Sequence, residues 1–365
     1  MTTQLLDRPA LFTPEIDDDL TRRRFLGSGA ALGAGLLIGG CADDDEGLLT
    51  PSVPASPTAT PLRVAHKYGE TEVPVAPQRV VSLGFVDHDA LLALGVVPVG
   101  IGGDSVSELQ RSAVWPWAHD RLGDARPEVL SYTELNIEAI AALEPDLITG
   151  FTSGMTEAEY RQLSAIAPTV AQLPGFPDYF APWQEVTRAA GRTLGRTAEA
   201  EALITEVENA FTAARAAHPE FAGVQAAYAG VLEDGFYTEN SRSSRVAILT
   251  QLGFEIPAEI DDLADADASF SAISAEQLEL LDRDVLVWEL ASSDQRATVE
   301  NHPVYATLDV SREERDVFVD EEELVAAMAY ISVLSLPTAI DLLVPKLAAV
   351  LGGDSADEAS PSPTS

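Results

Sequence analysis

Short β-branched and apolar runs alternate along the chain with stretches whose apolar residues recur every three to four positions. Gly, Pro and polar clusters separate them. A strand is predicted over 79–83, then a short helix over 89–94 closed by Gly95. A second strand follows over 96–101. Asn136 can cap a helix through Leu143, Pro145 stops it, and 146–149 reads as a third strand. Residues 157–165 read as helix and 169–173 as a fourth strand. Strands alternating with helices in this way predict parallel α/β units. The rhythm breaks over 182–218, where Gly191 and Gly195 interrupt the first part. From 198 to 217 the pattern is continuous behind Thr197, a predicted N-cap. Ala200, Leu203, Ile204, Val207, Ala210, Phe211 and Ala214 share one face there. A helix of about 20 residues is roughly 30 Å long.

After His218-Pro219 the α/β rhythm resumes, with strands predicted over 225–231, 284–290 and 316–319. Helices are predicted over 244–252, 275–281 and 303–308, and an apolar helical stretch over 324–351 is expected to break at Pro337 and Pro345. The pattern therefore predicts two α/β lobes, over 62–181 and 219–352, with an interlobe helical region over 182–218.

The residues before 62 read as an address and a tether. Arg22-Arg23-Arg24-Phe25-Leu26 precedes an apolar Gly/Ala-rich run to Gly40, too short to span a bilayer stably. Arg22 and Arg23 resemble the pair of a twin-arginine signal, and Ile38-Gly39-Gly40-Cys41 resembles a lipobox that makes Cys41 the lipidated first residue. Multiple acyl chains there would hold the protein at a membrane. Residues 1–40 are thus expected to be an export signal and 41–61 a flexible acidic, Pro-rich tether, with 353–365 a disordered tail.

Charge narrows the partners. The chain has 22 basic and 59 acidic residues, a formal net charge of −37. Nucleic acid needs a basic face and is excluded as a partner. Cys41 is the one cysteine, so an intrachain disulfide and a Cys-x-x-Cys site are both excluded. No two of the five histidines lie at the i, i+4 spacing of a helical zinc pair.

Gly69-Glu70-Thr71-Glu72-Val73-Pro74-Val75-Ala76-Pro77-Gln78-Arg79-Val80-Val81-Ser82-Leu83 resembles the opening of periplasmic binding proteins for iron–siderophore import. Similar to that family as well are the stretch from Leu91 to Gly100, the stretch from Asn136 to Ile148, and Ile166-Ala167-Pro168-Thr169-Val170. Leu194-Gly195-Arg196-Thr197-Ala198-Glu199-Ala200-Glu201 and Ser332-Val333-Leu334-Ser335-Leu336-Pro337 complete an ordered series over about 62–351. The resemblance implies two three-layer α/β lobes joined by a long rigid interlobe helix, with the ligand cleft between them. It also implies a monomeric, non-enzymatic lipoprotein facing outside the cytoplasm. Such a protein would carry a ferric siderophore, as cargo rather than cofactor, to an ABC-type permease. Haem, cobalamin or a metal ion is the alternative cargo, and a surface hydrolase the alternative class.

Ligands in α/β lobes sit at the carboxyl ends of strands. A ferric siderophore calls for aromatic walls and cations aimed at its chelating oxygens. The loops after the predicted strands offer Arg111, Trp115, Trp117, Phe151, Tyr179, Tyr237, Arg242 and Arg245 as ligand-binding candidates. Asp87-His88-Asp89 raises a metal reading, against which helix capping by Asp87 is the plainer account. No GxSxG, phosphate loop or available cysteine supports catalysis.

Overall fold

The computed structural model describes residues 61–103, 107–131, 135–265 and 268–352, which belong to one compact unit. The export signal with Arg22 and Arg23, Cys41, the tether and the tail lie outside the described residues.

A hairpin of β1 (Leu62–His66) and β2 (Gly69–Val73) precedes the first lobe. That lobe is built on a parallel sheet of β3 (Val80–Ser82), β4 (Gly100–Gly102), β5 (Glu128–Leu130), β6 (Leu147–Thr149) and β7 (Thr169–Val170), in the order β5-β4-β3-β6-β7. Its helices are α1 (Asp87–Ala93), α2 (His119–Leu122), α3 (Ile137–Ala142) and α4 (Glu157–Ser164). Val80 and Leu147 pack into one apolar layer, Val81 and Ile148 into the layer on the opposite face. Both faces of the sheet are covered, as parallel strands require. Local chemistry sets the helix starts. Asn136 Oδ1 accepts from the Ala139 N–H at 3.0 Å, and Thr156 with Glu159 forms a capping box at α4.

The second lobe holds a mixed sheet of β8 (Ala226–Leu232), β9 (Gly235–Glu239), β10 (Phe270–Ile273), β11 (Val285–Glu289) and β12 (Asp316–Val319), in the order β10-β9-β8-β11-β12. β8, β11 and β12 run parallel, and β9 and β10 are antiparallel additions. Around it lie α7 (Ser244–Leu252), α8 (Ala258–Asp261), α9 (Ser293–Glu300), α10 (Asp309–Arg312), α11 (Glu322–Ala329) and α12 (Ser335–Leu351).

Between the sheets, α5 (Trp183–Leu194) and α6 (Thr197–Ala217) form a helical pair. The predicted apolar face of α6 divides between the two lobes. Ala200 and Leu203 pack with the first lobe's core, whereas Ile204, Val207 and Phe211 are buried in the core of the second. One helix therefore stitches two cores together, and burying a side chain such as Phe211 is worth about 2–3 kcal/mol.

Several elements depart from the sequence reading. Gly191 does not interrupt a helix: it lies within α5, and a Cβ there would sit 2.5 Å from the Ala200 Cβ, so its lack of a side chain lets α5 and α6 touch. Thr197 is the first residue of α6 rather than its cap, which is Arg196 with no side-chain cap bond. Pro337 falls in the first turn of α12 and Pro345 inside it, while the break comes earlier, between Tyr330 and Leu334. First-turn proline lacks only an N–H that has no helical partner anyway. Residues 275–281 and 305–307 form 3-10 rather than α turns. β9 occupies a segment expected to be loop, because a two-residue turn at Glu233-Asp234 pairs Gly235 back onto Leu232 and closes a hairpin.

Candidate ligand-binding cleft

The first lobe's strand order reverses beside β3, so the loops after β3 and β6 diverge from adjacent strand ends. Asp87 fills the space between them. Its carboxyl accepts from the Phe151 N–H at 2.6 Å, the Thr152 N–H at 3.0 Å and the Thr152 hydroxyl at 2.7 Å. Complete burial pushes its pKa up to about 6, although these bonds work in the opposite direction. Asp87 thus ties two loops together instead of capping a helix.

The next two residues turn toward a crevice. Phe85, Val86, His88, Asp89, Gly102, Gly103, Gln110, Ala113, Trp115, Trp117 and Tyr330 line it. All but Tyr330 come from the first lobe, from the end of β4 and the segments that follow β3 and β4, including the first turn of α1, and Tyr330 closes it from the second lobe at the end of α11. Phe85 stacks on Tyr330 with ring centroids 4.8 Å apart, and Trp115 lies 5.6 Å from Tyr330 and 5.7 Å from the nearly parallel ring of Trp117. Such spacings are those of attractive aromatic pairs. The loop that presents Trp115 is held at positive φ by Ser112 (52°) and Ala113 (62°), a conformation L-residues rarely adopt.

Asp89 joins the lobes beneath this wall. Its Oδ2 accepts from Trp117 Nε1 at 2.8 Å and from the Ser332 hydroxyl. Ser332 in turn accepts from the N–H groups of Leu334 and Ser335 at 3.2 and 3.0 Å, at the start of α12. The other oxygen, Oδ1, is buried without a hydrogen-bond partner, as is Nδ1 of His88. The two side chains approach at 3.7 Å between His88 Nε2 and Asp89 Oδ1. Burial lowers the His88 pKa more than the Asp89 charge raises it, which favours the neutral imidazole.

A charged cluster lies near the carboxyl ends of β8 and β11 in the second lobe. Arg245, in the first turn of α7, meets Glu239 at 3.0 Å and Glu289 at 3.0 Å. The Ser243 hydroxyl donates to Glu239 and the Tyr228 hydroxyl to Glu289. Burial pushes the Glu239 carboxyl up, with Arg245 opposing it. Burial also disfavours the charged Arg245, but Glu289 and Glu239 outweigh it and raise its pKa. Burial raises the Tyr237 pKa, as does the charge of Glu289. The Tyr237 ring lies over Gly230, where a Cβ would come within 2.4 Å of it.

Of the predicted residues, Trp115 and Trp117 line the crevice. Phe151 does not: it is 1% exposed in the first lobe's core, and it meets the site through its backbone N–H on Asp87. Arg111 bridges to Val114, and its guanidinium donates to the His119 carbonyl at 2.6 Å. Arg242 is exposed and donates to the carbonyls of Ala268 at 2.8 Å and Asp265 at 3.3 Å, holding a loop. Arg245 and Tyr237 sit together in the second-lobe cluster. Tyr179, at φ 71°, is on the exposed loop after β7 with its hydroxyl against Gly154. Sequence reasoning missed Phe85, Asp89, Gln110 and Tyr330 as lining residues. For Phe85 and Asp89 the signal was present, since both follow the first predicted strand.

Among the described residues no group of three or more His, Cys, Asp or Glu could hold a metal ion. Asp87 and Asp89 face different partners, one the loop at Phe151 and the other Trp117 and Ser332.

Two lobes, a helix common to both cores and a crevice at strand ends are the architecture of a solute-binding protein. The family model for periplasmic binding proteins matches residues 80–323, and the chain belongs to that family. It is similar to the crystal structure of a periplasmic solute-binding protein from Mycobacterium smegmatis: 35% identity, 80% of this chain and 99% of that one, TM-score 0.72. It is 28% identical to the Fe(3+) dicitrate-binding periplasmic protein FecB of Escherichia coli over 219 residues, 59% of this chain and 67% of that protein. The Fe(3+)-citrate-binding protein YfmC of Bacillus subtilis is 28% identical over 230 residues, 61% of this chain and 67% of that protein.

Proposed function

We propose that this protein captures a ferric siderophore outside the cytoplasm and hands it to an ABC-type permease for iron uptake. The observation that carries this reading is the aromatic crevice, in which Tyr330 of one lobe closes on Phe85 and Trp115 of the other. Apolar flanks with a few polar groups suit a bulky organic chelate, whose metal is already fully coordinated and needs no protein ligand. The ferric chelates named for FecB and YfmC point the same way. No chemical step is required: the crevice, whose interior of about 20 Å³ holds little more than a water while Tyr330 rests on Phe85, selects by shape and charge as these rings part around the chelate. Trp115 and Trp117 are the ligand-facing candidates, and Phe151 is buried in the first lobe's core, where its N–H holds Asp87. The protein works as a monomer, exported by the twin-arginine pair Arg22 and Arg23 and anchored through lipid on Cys41.

Tryptophan fluorescence tests the reading. Titration with ferric hydroxamate, catecholate and carboxylate siderophores is expected to give saturable quenching by at least one, at a Kd of about 1 µM or below. No response to any class at about 100-fold higher concentration contradicts it. A Cys41→Ser variant is expected to leave the membrane fraction for the soluble one; unchanged membrane retention contradicts the anchor.

A further inference from the structure

The crevice is chemically lopsided. Its walls are aromatic faces, and its polar floor is an acidic side chain with one oxygen already used. Asp89 is 2% exposed; Oδ2 accepts two hydrogen bonds, yet Oδ1 has no hydrogen-bond partner and only His88 Nε2 at 3.7 Å, and leaving a buried polar atom unsatisfied is costly. Beside it His88, 6% exposed, keeps an unpartnered Nδ1 and adds no positive charge while neutral. Aromatic faces around a buried carboxylate form the environment that recognises an organic ammonium.

Among the described residues no arginine lines the crevice, so none stands beside an anionic chelate there. Arg245 faces two carboxylates, Arg242 is engaged by loop carbonyls, and Arg111 donates behind the Trp115 loop to His119.

We propose that Asp89, walled by Phe85, Trp115, Trp117 and Tyr330, is a subsite for an ammonium group on the cargo, so that the preferred ligand is an amine-bearing ferric hydroxamate. This rests on the siderophore reading and adds the substrate class. The ammonium supplies the charge and donors that Asp89 Oδ1 lacks, while the neutral ferric hydroxamate centre needs no arginine. Ferric citrate and ferric catecholates, both anionic, bind less tightly.

The test compares the ferric complex of desferrioxamine B, a linear trihydroxamate ending in a primary ammonium, with its N-acetylated form. The two share the iron centre and differ at the charge. Binding of each to the wild-type protein is measured by tryptophan quenching, with ferric citrate and ferric enterobactin alongside. The ammonium form is expected to bind at least about tenfold tighter than the acetylated one. Asp89→Asn keeps an amide oxygen for Trp117 and Ser332 and is expected to shrink that ratio below about threefold. Its fold is checked by its unfolding midpoint, and the wild-type comparison decides alone if the variant does not fold. Equal affinities for the two hydroxamates, or tighter binding of citrate or enterobactin, would overturn the subsite and leave the siderophore reading standing. No binding of any ferric complex would sink both.

Discussion

Asp87 shows how one buried carboxyl can serve position rather than chemistry. It accepts from two backbone N–H groups and one hydroxyl, and it is fully buried. Its folded pKa of about 6 lies above the ordinary 3.8, so the folded state binds its proton more tightly. The stabilisation is therefore present below about pH 4 and is lost as pH rises through about 6. Urea unfolding of the wild type and Asp87→Asn isolates the effect. The stability of the wild type relative to the variant is expected to fall by up to about 3 kcal/mol between pH 4 and pH 7, then stay flat. A difference that grows with pH contradicts this. Arg245 makes the opposite kind of case, one guanidinium between Glu239 and Glu289. Arg245→Met is expected to cost about 3 kcal/mol or more at pH 7, with part recovered at pH 5 as the buried Glu239, its carboxyl already pushed up by burial, takes up a proton. A variant as stable as wild type would show that the carboxylates do not need it. Neither role could be read from the sequence. Which carboxylate meets an amide and which an arginine depends on strand neighbours such as β8 and β11, which lie far apart along the chain.

At the scale of elements, periodicity was the legible part. Ser244–Leu252 and Asp316–Val319 match the predicted helix and strand, and α6 spans one residue more than its unbroken pattern. Short edge strands were hidden. β9 and β10 are four or five residues long and pair antiparallel at the sheet edge, so their apolar signal is weak. Gly191 misled for a physical reason, since glycine inside a helix signals either a break or a close approach, and only packing decides. Gly191→Val tests the second meaning. Its side chain would enter the space of the Ala200 Cβ, 2.5 Å from the new Cβ, and is expected to cost about 1–3 kcal/mol in thermal or urea unfolding. Unchanged stability would show that α5 and α6 have room to spare.

For the whole molecule, the decisive fact is that a single helix belongs to two cores. Because α6 contributes Ala200 to one lobe and Val207 and Phe211 to the other, moving the lobes far apart would expose apolar surface. The Asp89–Ser332 bond and the Phe85–Tyr330 stack join the same halves near the crevice. The binding face was half legible: strand order led to the loops carrying Trp115 and Trp117, but Tyr330 follows α11, outside any loop directly after a strand. Its place opposite Phe85 comes from the docking of the lobes, which no local pattern encodes. The position of iron tests the account most directly. In crystals of the protein grown with a ferric siderophore that it binds, anomalous scattering from the metal is expected between the lobes, above the Trp115 and Tyr330 rings. An iron peak on an outer face of either lobe, away from those rings, would contradict it.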